Sequence, residues 1–252
     1  MKILFAFALA LGALSAQTAT SEDKSAVDNK KPVPQAKAPV SPKPVPFPQK
    51  ETLRYSLNWE SGLPVGDVQL TANPGSNGNW EFTFQAQAAV PKFPVAEFTR
   101  ALSDASFCTV ESEKKAVRGQ RKIDEKTTFE QRLLKAVRQT VKGGSSEIPL
   151  SPCAKDALTF LYFLRRELIQ GRLPQAQTVL YGAPYQIGTQ YLGTQKLKTP
   201  DGETDAERII ISIKGPAAKQ NIEAVFLKDA VRTPARVRVT LPLGTISMDL
   251  AR

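Results

Sequence analysis

The chain has 252 residues, a formal net charge of +10 and no histidine. The missing histidine excludes Ser-His-Asp and Cys-His nucleophile pairs, histidine-ligated zinc and histidine-held haem. Two cysteines are too few for a four-thiolate zinc site or an iron–sulfur cluster. Since 41% of the residues are hydrophobic, the chain can bury a sizeable core. We therefore expect a folded domain with no metal and no cofactor.

Residues 1–16 have the pattern of a secretory signal peptide. Lys2 supplies a positive charge, and an apolar run of twelve residues follows at positions 3–14. The run is shorter than the roughly 20 residues that a transmembrane helix needs. We predict a signal that is cleaved after Ser15 or Ala16 and a periplasmic location, with an extracellular location as the alternative.

Residues 17–50 have the composition of a Pro/Lys-rich disordered linker. They hold seven of the nineteen prolines, which alternate with Lys, Val and Ala. Proline lacks the N–H that helices and sheets need, and it favours extended geometry. The segment is interpreted as a solvated spacer; the alternative is a tether that rests on anionic envelope polymers or lipid. Residues 51–252 are then a single β-rich domain.

The charge of this domain bears on its partners. Residues 51–252 contain 27 Lys and Arg against 21 Asp and Glu, which is a modest excess. No clustered basic run alternates with aromatic residues, so we expect no nucleic-acid partner. Weak contact with an anionic envelope surface fits this modest excess of positive charge better.

Alternation of apolar and polar residues dominates the domain. It covers residues 53–59, 68–72, 80–88, 209–213, 222–226, 237–241 and 246–250. A period of two predicts half-buried strands, and turn-rich segments between them indicate an antiparallel meander. With the less regular segments between these seven, up to eleven strands are readable, too many for a small flat sheet. We therefore predict a mainly β fold, a strongly curved antiparallel sheet or partial β-barrel of about 10–11 strands.

Residues 127–141 are ambiguous. Phe129, Leu133, Val137 and Val141 have helical spacing, but the segment is rich in Thr and Val, which favour strands. We favour two strands around a turn because the neighbouring segments are strands.

One buried apolar helix is predicted over about 152–170. Ser151 is its expected N-cap and Pro152 its first helical residue. Positions 157–164 are apolar in almost every direction, with Thr159 as the polar exception. A helix of this kind is buried on more than one side, so we expect it to fill the concave face of the sheet. The alternative is an ordinary core helix on a flat sheet.

These segments resemble a family of exported bacterial proteins, domain of unknown function 3108. The matching stretches are residues 53–59 with Gly66, the helical segment 154–165, and the closing segments 234–237 and 241–245. The resemblance implies no established activity, substrate or catalytic residue. It also implies an architecture similar to the incomplete β-barrels of periplasmic lipoprotein carriers, whose helices close an apolar cavity.

The two cysteines, Cys108 and Cys153, predict one disulfide. An even count in an exported chain favours pairing, and two buried free thiols are the alternative. A redox role is not expected, because the spacing is not Cys-x-x-Cys.

Carboxylates are the remaining candidates for chemistry. Asp201, Glu203, Asp205 and Glu207 alternate after a turn, and a solvated hairpin tip explains them better than a calcium site. Nucleophile elbow, Walker loop and dinucleotide fingerprint are all missing from the sequence. The sequence therefore predicts a protein that is not an enzyme.

The expected function is binding. We predict an exported, non-enzymatic cell-envelope protein that holds a lipid, an acyl chain or another apolar ligand in a curved-sheet cavity of several hundred Å³. The candidate ligand-binding residues are Tyr55, Trp59, Trp80, Phe82, Phe84 and Leu161. The alternative is an envelope interaction or structural module with a solid core, in which the same aromatic residues are plain core and an exposed edge strand makes the contacts.

Overall fold

A computed structural model describes residues 50–90, 93–199, 202–216, 218–241 and 244–251. The predicted signal peptide and all of the predicted linker except Lys50 lie outside these residues. Both remain predictions.

Fifteen strands in the described residues form one sheet. The first eight are β1 (Glu51–Trp59), β2 (Pro64–Pro74), β3 (Trp80–Val90), β4 (Phe93–Ser103), β5 (Thr109–Arg118), β6 (Arg121–Glu130), β7 (Lys135–Thr140) and β8 (Ser145–Pro149). The other seven are β9 (Lys155–Asp156), β10 (Gln177–Leu180), β11 (Pro184–Thr199), β12 (Gly202–Gly215), β13 (Ala218–Leu227), β14 (Pro234–Leu241) and β15 (Gly244–Ala251). The α-helix α1 (Ala157–Ile169) and the short 3₁₀ turns Ser76–Gly78 and Gln131–Leu133 complete these ranges.

The strand order shows how the chain builds the sheet. It runs β8-β7-β6-β5-β4-β3-β2-β1-β15-β14-β13-β12-β11-β10-β9, so β1 and β15 meet in the middle. Neighbours pair antiparallel except β9 and β10, which are parallel. Parallel strands need a crossover connection, and α1 supplies it between them.

Curvature brings the two ends of the sheet together. Arg138 in β7, near one edge, donates from Nη1 to the carbonyl oxygen of Gly182, which follows β10 near the other edge, at 2.8 Å. Phe129 of β6 and Leu180 of β10 also belong to one buried apolar cluster. The predicted mainly β fold, a strongly curved sheet with one buried helix, is thus confirmed.

Two details of that prediction were wrong. The sheet has fifteen strands and not 10–11, because β5 carries charged residues at inward positions and β6 and β8 show little apolar alternation. The helix begins at Ala157 and not near 152: its N-cap is Asp156, whose Oδ1 accepts a hydrogen bond from the N–H of Thr159 at 2.8 Å. The ambiguous stretch 127–141 forms the end of β6, a turn and β7, as favoured.

Helix α1 lies on the concave face, where the main core is formed. Alternate residues of the strands point into this core, for example Tyr55 and Leu57 of β1, while Arg54 stays exposed. From the helix, Tyr162 and Leu164 are fully buried, and even Arg165 is only 1% exposed. The helix is therefore surrounded on several sides, in agreement with its nearly uniform apolar composition.

A disulfide fastens the start of the helix. Cys108, just before β5, is bonded to Cys153, just before β9, which agrees with the predicted pairing. Next to it, the N–H of Thr109 donates to the carbonyl oxygen of Ala154 at 3.0 Å. The segment that leads into α1 is thus held against β5 by a covalent bond and a backbone hydrogen bond.

Candidate functional site

An apolar cavity of about 160 Å³ lies between α1 and the concave face of the sheet. The helix contributes Ala157, Leu158, Phe160 and Leu161. The sheet contributes mainly aliphatic side chains: Leu70, Val179, Ile187, Ile211, Ile213, Ile222, Ala224, Val237 and Met248, together with Phe84 and Pro234. We call this space the helix cavity.

The helix cavity is smaller than the several hundred Å³ that we expected from typical ligand sites. An engineered apolar cavity of about 150 Å³ in another protein stays dry and binds benzene. By that comparison, the volume of the helix cavity corresponds to an apolar group of about six carbon atoms.

The six candidate ligand-binding residues do not lie together. Phe84 and Leu161 line the helix cavity. Phe82 is fully buried elsewhere, with its ring stacked on Tyr162 at a centroid distance of 4.1 Å, and Trp80 stacks 6.1 Å from Phe82.

The other two candidates belong to the packed core beside β15 and β14. Tyr55 Oη donates to the carbonyl oxygen of Pro234 at 2.8 Å, and burial raises the pKa of this tyrosine well above its usual value. Trp59 is partly buried against the main core. Both residues lie in β1, at the centre of the sheet, and neither lines the helix cavity.

The helix cavity has one polar end, formed by Glu97, Thr99 and Tyr181. Arg118 Nη2 lies 2.5 Å from Glu97 Oε2, and Tyr181 Oη donates to the other oxygen of the same carboxylate. Burial raises the pKa of Tyr181 well above its usual value, and the nearby charge of Glu97 adds to this effect. The tyrosine is therefore neutral and acts as a donor at ordinary pH.

Lys114 of β5 lies behind this polar end. Its Nζ is 3.5 Å from the centroid of the Tyr181 ring, an arrangement in which the ring attracts the cation. Burial lowers the pKa of Lys114 to about 8. The two carboxylates that act on it, Glu97 and Glu125, are paired with Arg118 and Arg138. In the part of the chain that the structure describes, Lys114 itself forms no ion pair and no hydrogen bond.

A second, small cavity of about 20 Å³ adjoins Lys114. Thr99 and Tyr181 line both this space and the helix cavity, so the two are neighbours. About 10–15 Å³ is enough for one water molecule, so the small cavity has room for one or two groups of that size. We call it the lysine cavity.

Sequence reasoning missed this polar end. Glu97, Lys114 and Arg118 are charged residues in strands, and such residues normally face solvent. Only the strand register shows that they point inward. The alternation Val95, Glu97, Thr99, with every second residue buried, becomes a signal once β4 is known to pair with β3 on one side and β5 on the other.

The described ranges were compared with the features of a metal site and of a membrane-spanning helix. Among these residues, no three or more Cys, Asp or Glu side chains are grouped as metal ligands would be. Their helices also lack the length and apolar character needed to cross a membrane.

A family model for proteins of unknown function, DUF3108, matches residues 54–251. The chain belongs to the DUF3108 family. This is the family that the motifs at 53–59 and 154–165 resemble, so that prediction is confirmed. The family has no assigned activity, and no curated protein matches the sequence.

Solved structures resemble the DUF3108 chain in fold. A β-barrel-like protein of domain of unknown function DUF1849 from Brucella abortus is 10% identical, covers 80% of this chain and 95% of its own, and superposes with a TM-score of 0.59. At this identity the likeness shows the fold alone.

Two further structures match weakly. A candidate lipoprotein from Parabacteroides distasonis is 10% identical over 81% of this chain and 95% of its own, with a TM-score of 0.30. A candidate exported protein with a YmcC-like fold from Bacteroides fragilis is 10% identical over 82% and 97%, with a TM-score of 0.31. Similarity this low carries no argument about function.

Proposed function

We propose that this protein is a non-enzymatic protein of the cell envelope that binds an acyl chain or another apolar ligand in the helix cavity. The observation that carries the proposal is the cavity itself. Protein interiors are close-packed and have few voids larger than a water molecule. The apolar side chains that line this space are incompletely packed, and a ligand that fills it gives them contacts that the unliganded protein lacks.

A periplasmic location is part of the proposal. It is supported by the signal-peptide pattern of residues 1–16 and by the disulfide between Cys108 and Cys153, since such bonds persist in oxidising compartments.

The alternative function, an interaction module that works through an edge strand, has weaker support. It predicts a solid core, whereas an apolar cavity lies beneath α1. The strands at the two edges of the sheet are also short: β8 has five residues and ends in Pro149, and β9 has two. Short edges that contain proline limit pairing with another chain.

Binding is tested with hexan-1-ol, whose six carbons match the cavity, by following the isoleucine methyl signals of the full chain by NMR. We expect Ile211 and Ile213 to shift. Ala224→Leu fills the cavity and should weaken binding at least ten-fold. Leu161→Ala enlarges the cavity and should bind a longer alcohol better.

Leu168→Ala is the matched control, because Leu168 is a buried leucine of the same helix that does not line the cavity. It should bind hexan-1-ol as the unaltered protein does. Binding that is equally strong in Ala224→Leu, or no binding to the unaltered protein, contradicts the proposal. Native mass spectrometry of protein purified from its own envelope then identifies the natural ligand.

A further inference from the structure

Two polar side chains near the helix cavity are largely buried and have no hydrogen bond or ion pair among the described residues. Thr99 is 7% exposed, and within the described residues its Oγ1 has no hydrogen-bond partner. Lys114 is 9% exposed, and its Nζ contacts the Tyr181 ring but makes no hydrogen bond or ion pair within the same residues. Buried polar groups are normally satisfied, so each exception requires an explanation. Both groups line the lysine cavity, and Thr99 also lines the helix cavity.

We infer that the ligand is an acyl chain that ends in a carboxylate, with its chain in the helix cavity and its carboxylate in the lysine cavity against Lys114 and Thr99. This inference rests on the proposed function and adds the chemical class of the ligand's head group. Lys114 supplies the positive charge, and the Thr99 hydroxyl donates a hydrogen bond.

The charges around the lysine cavity favour an anion there. Glu97 and Glu125 are paired with Arg118 and Arg138. Glu113, which also lines the lysine cavity, lies 3.8 Å from Arg100 Nη1. Lys114 is thus left as the cation without an ion pair among the described residues. Asp156 also lines this cavity, but its Oδ1 accepts hydrogen bonds from Thr159 N–H and Thr109 Oγ1 at the start of α1. A buried charge is stable when it is paired and hydrogen-bonded, and a ligand carboxylate meets both conditions for Lys114.

The size of the lysine cavity distinguishes between anionic head groups. Its volume of about 20 Å³ has room for one or two water-sized groups, comparable to the two oxygens of a carboxylate. A phosphodiester carries more oxygens and a second substituent. The geometry therefore points to a free fatty acid and not to the head group of a phospholipid.

The test compares hexanoate, hexan-1-ol and hexyl phosphate, which share one chain length, on the full-length protein at pH 7. We expect hexanoate to bind most tightly. Lys114→Met keeps the length of the side chain but removes its charge, and should weaken hexanoate binding roughly ten-fold or more, as expected for a charge-assisted hydrogen bond. Binding of hexan-1-ol by this variant should stay within two-fold, which also shows that the cavity is intact.

Lys155→Met is the matched control. Lys155 is equally buried and also lies over an aromatic ring, 4.2 Å from the centroid of Phe163, but it lines neither cavity. It should bind hexanoate as the unaltered protein does. Thr99→Val removes the hydroxyl at constant shape and should weaken hexanoate more than hexan-1-ol.

The outcomes separate this inference from the proposed function. If hexan-1-ol binds but Lys114→Met leaves hexanoate unchanged, or Lys155→Met weakens it equally, the carboxylate site is wrong and the apolar site stands. Tighter binding of hexyl phosphate than of hexanoate overturns the fatty-acid assignment. If no probe binds to the unaltered protein, both proposals fail.

Discussion

Arg165 of α1 and Glu51 of β1 form a buried two-pronged ion pair, with Nη1 and Nη2 at 2.5 and 2.7 Å from the two carboxylate oxygens. Arg165 Nε also donates to the carbonyl oxygens of Val231 and Arg232, between β13 and β14. Burial, the largest single effect, opposes the charge of Arg165, but the hydrogen bonds to Glu51 and the attraction of its negative charge together outweigh burial and raise the pKa of Arg165. The Arg165 side chain thus joins the helix to β1 and to the connection between β13 and β14.

Loss of this pair should destabilise the fold strongly. Arg165→Met leaves the Glu51 carboxylate buried without its partner, and we expect it to lower the free energy of unfolding by about 3–5 kcal/mol. Urea unfolding measures the change. Arg208→Met is the control, since its pair with Glu223 is partly exposed and should contribute less than about 1 kcal/mol. Equal effects of the two variants would show that Arg165 is not a buried anchor.

The disulfide should stabilise the domain by restricting its unfolded chain. Cys108 and Cys153 are 45 residues apart, and a loop of this length corresponds to about 4 kcal/mol in the chain-entropy model. The double variant Cys108→Ala with Cys153→Ala should therefore lower the melting temperature by on the order of 10 °C. Thiol titration of the denatured, unreduced protein should find no free thiol, and two free thiols would disprove the bond.

A close backbone approach makes Gly66 sensitive to substitution. A Cβ at this position would lie 2.0 Å from the carbonyl oxygen of Gln87 in the neighbouring strand β3. Gly66→Ala should then lower the free energy of unfolding by about 1–3 kcal/mol through overpacking. Gly188→Ala is the matched control, because Gly188 also lies in a strand but has open space around its Cβ position. If neither substitution changed the free energy of unfolding, the close approach of β2 to β3 would be contradicted.

Lys114 should make stability depend on pH. Its pKa falls from 10.5 in the unfolded chain to about 8 in the folded protein, so between these values the unfolded chain holds a proton that the folded protein has released. The free energy of unfolding therefore rises with pH across this window, by about 3 kcal/mol in all. The loss of stability that comes from burying the charged form of Lys114 is present in full below pH 8 and is gone above pH 10.5.

The measurement is the difference in unfolding free energy between Lys114→Met and the unaltered protein at several pH values. Because groups common to both proteins cancel, the variant should lose its relative advantage as the pH rises from 7 to 10.5. A difference that stays constant with pH would show that Lys114 has an ordinary pKa. Lys155→Met is a second variant for comparison with Lys114→Met, because burial lowers the pKa of Lys155 in the same direction as that of Lys114.

Sequence patterns predicted the parts of the fold in which one face is apolar. The strands that carry Tyr55, Phe82 and Ile211 alternate clearly, and the helix was recognisable from positions 157–164. Strands such as β6 were harder to predict from alternation, because charged residues such as Arg121 and Asp124 occupy both of its faces. The helix start was misplaced for a local reason: Asp156 and Ser151 are both good caps, and only the pairing of β9 with β10 selects the first.

The candidate site was predictable only in part. Leu161 and Phe84 were found, because apolar residues of the helix and of inward strand faces must approach each other. Whether the space between them is filled depends on side chains from strands far apart in the chain, such as Leu70 and Ile213, which no local pattern relates. Lys114 and Thr99 were missed because alternation identifies the inward positions of a strand only when those positions are apolar.

The pairing of β1 with β15 has a consequence for how the domain folds. Every other antiparallel ladder joins strands that are consecutive in sequence, whereas this one joins Arg54 to Ala251 and Trp59 to Ile246. Local pairings close short loops, and distant ones form late because the loop entropy must be lost first. The described chain therefore consists of two arrays of strands, β1–β8 and β9–β15, and each array can form by pairing strands that are adjacent in sequence. The ladder of β1 with β15 is the single strand pairing between the two arrays, and we expect its formation to be the slow step of folding.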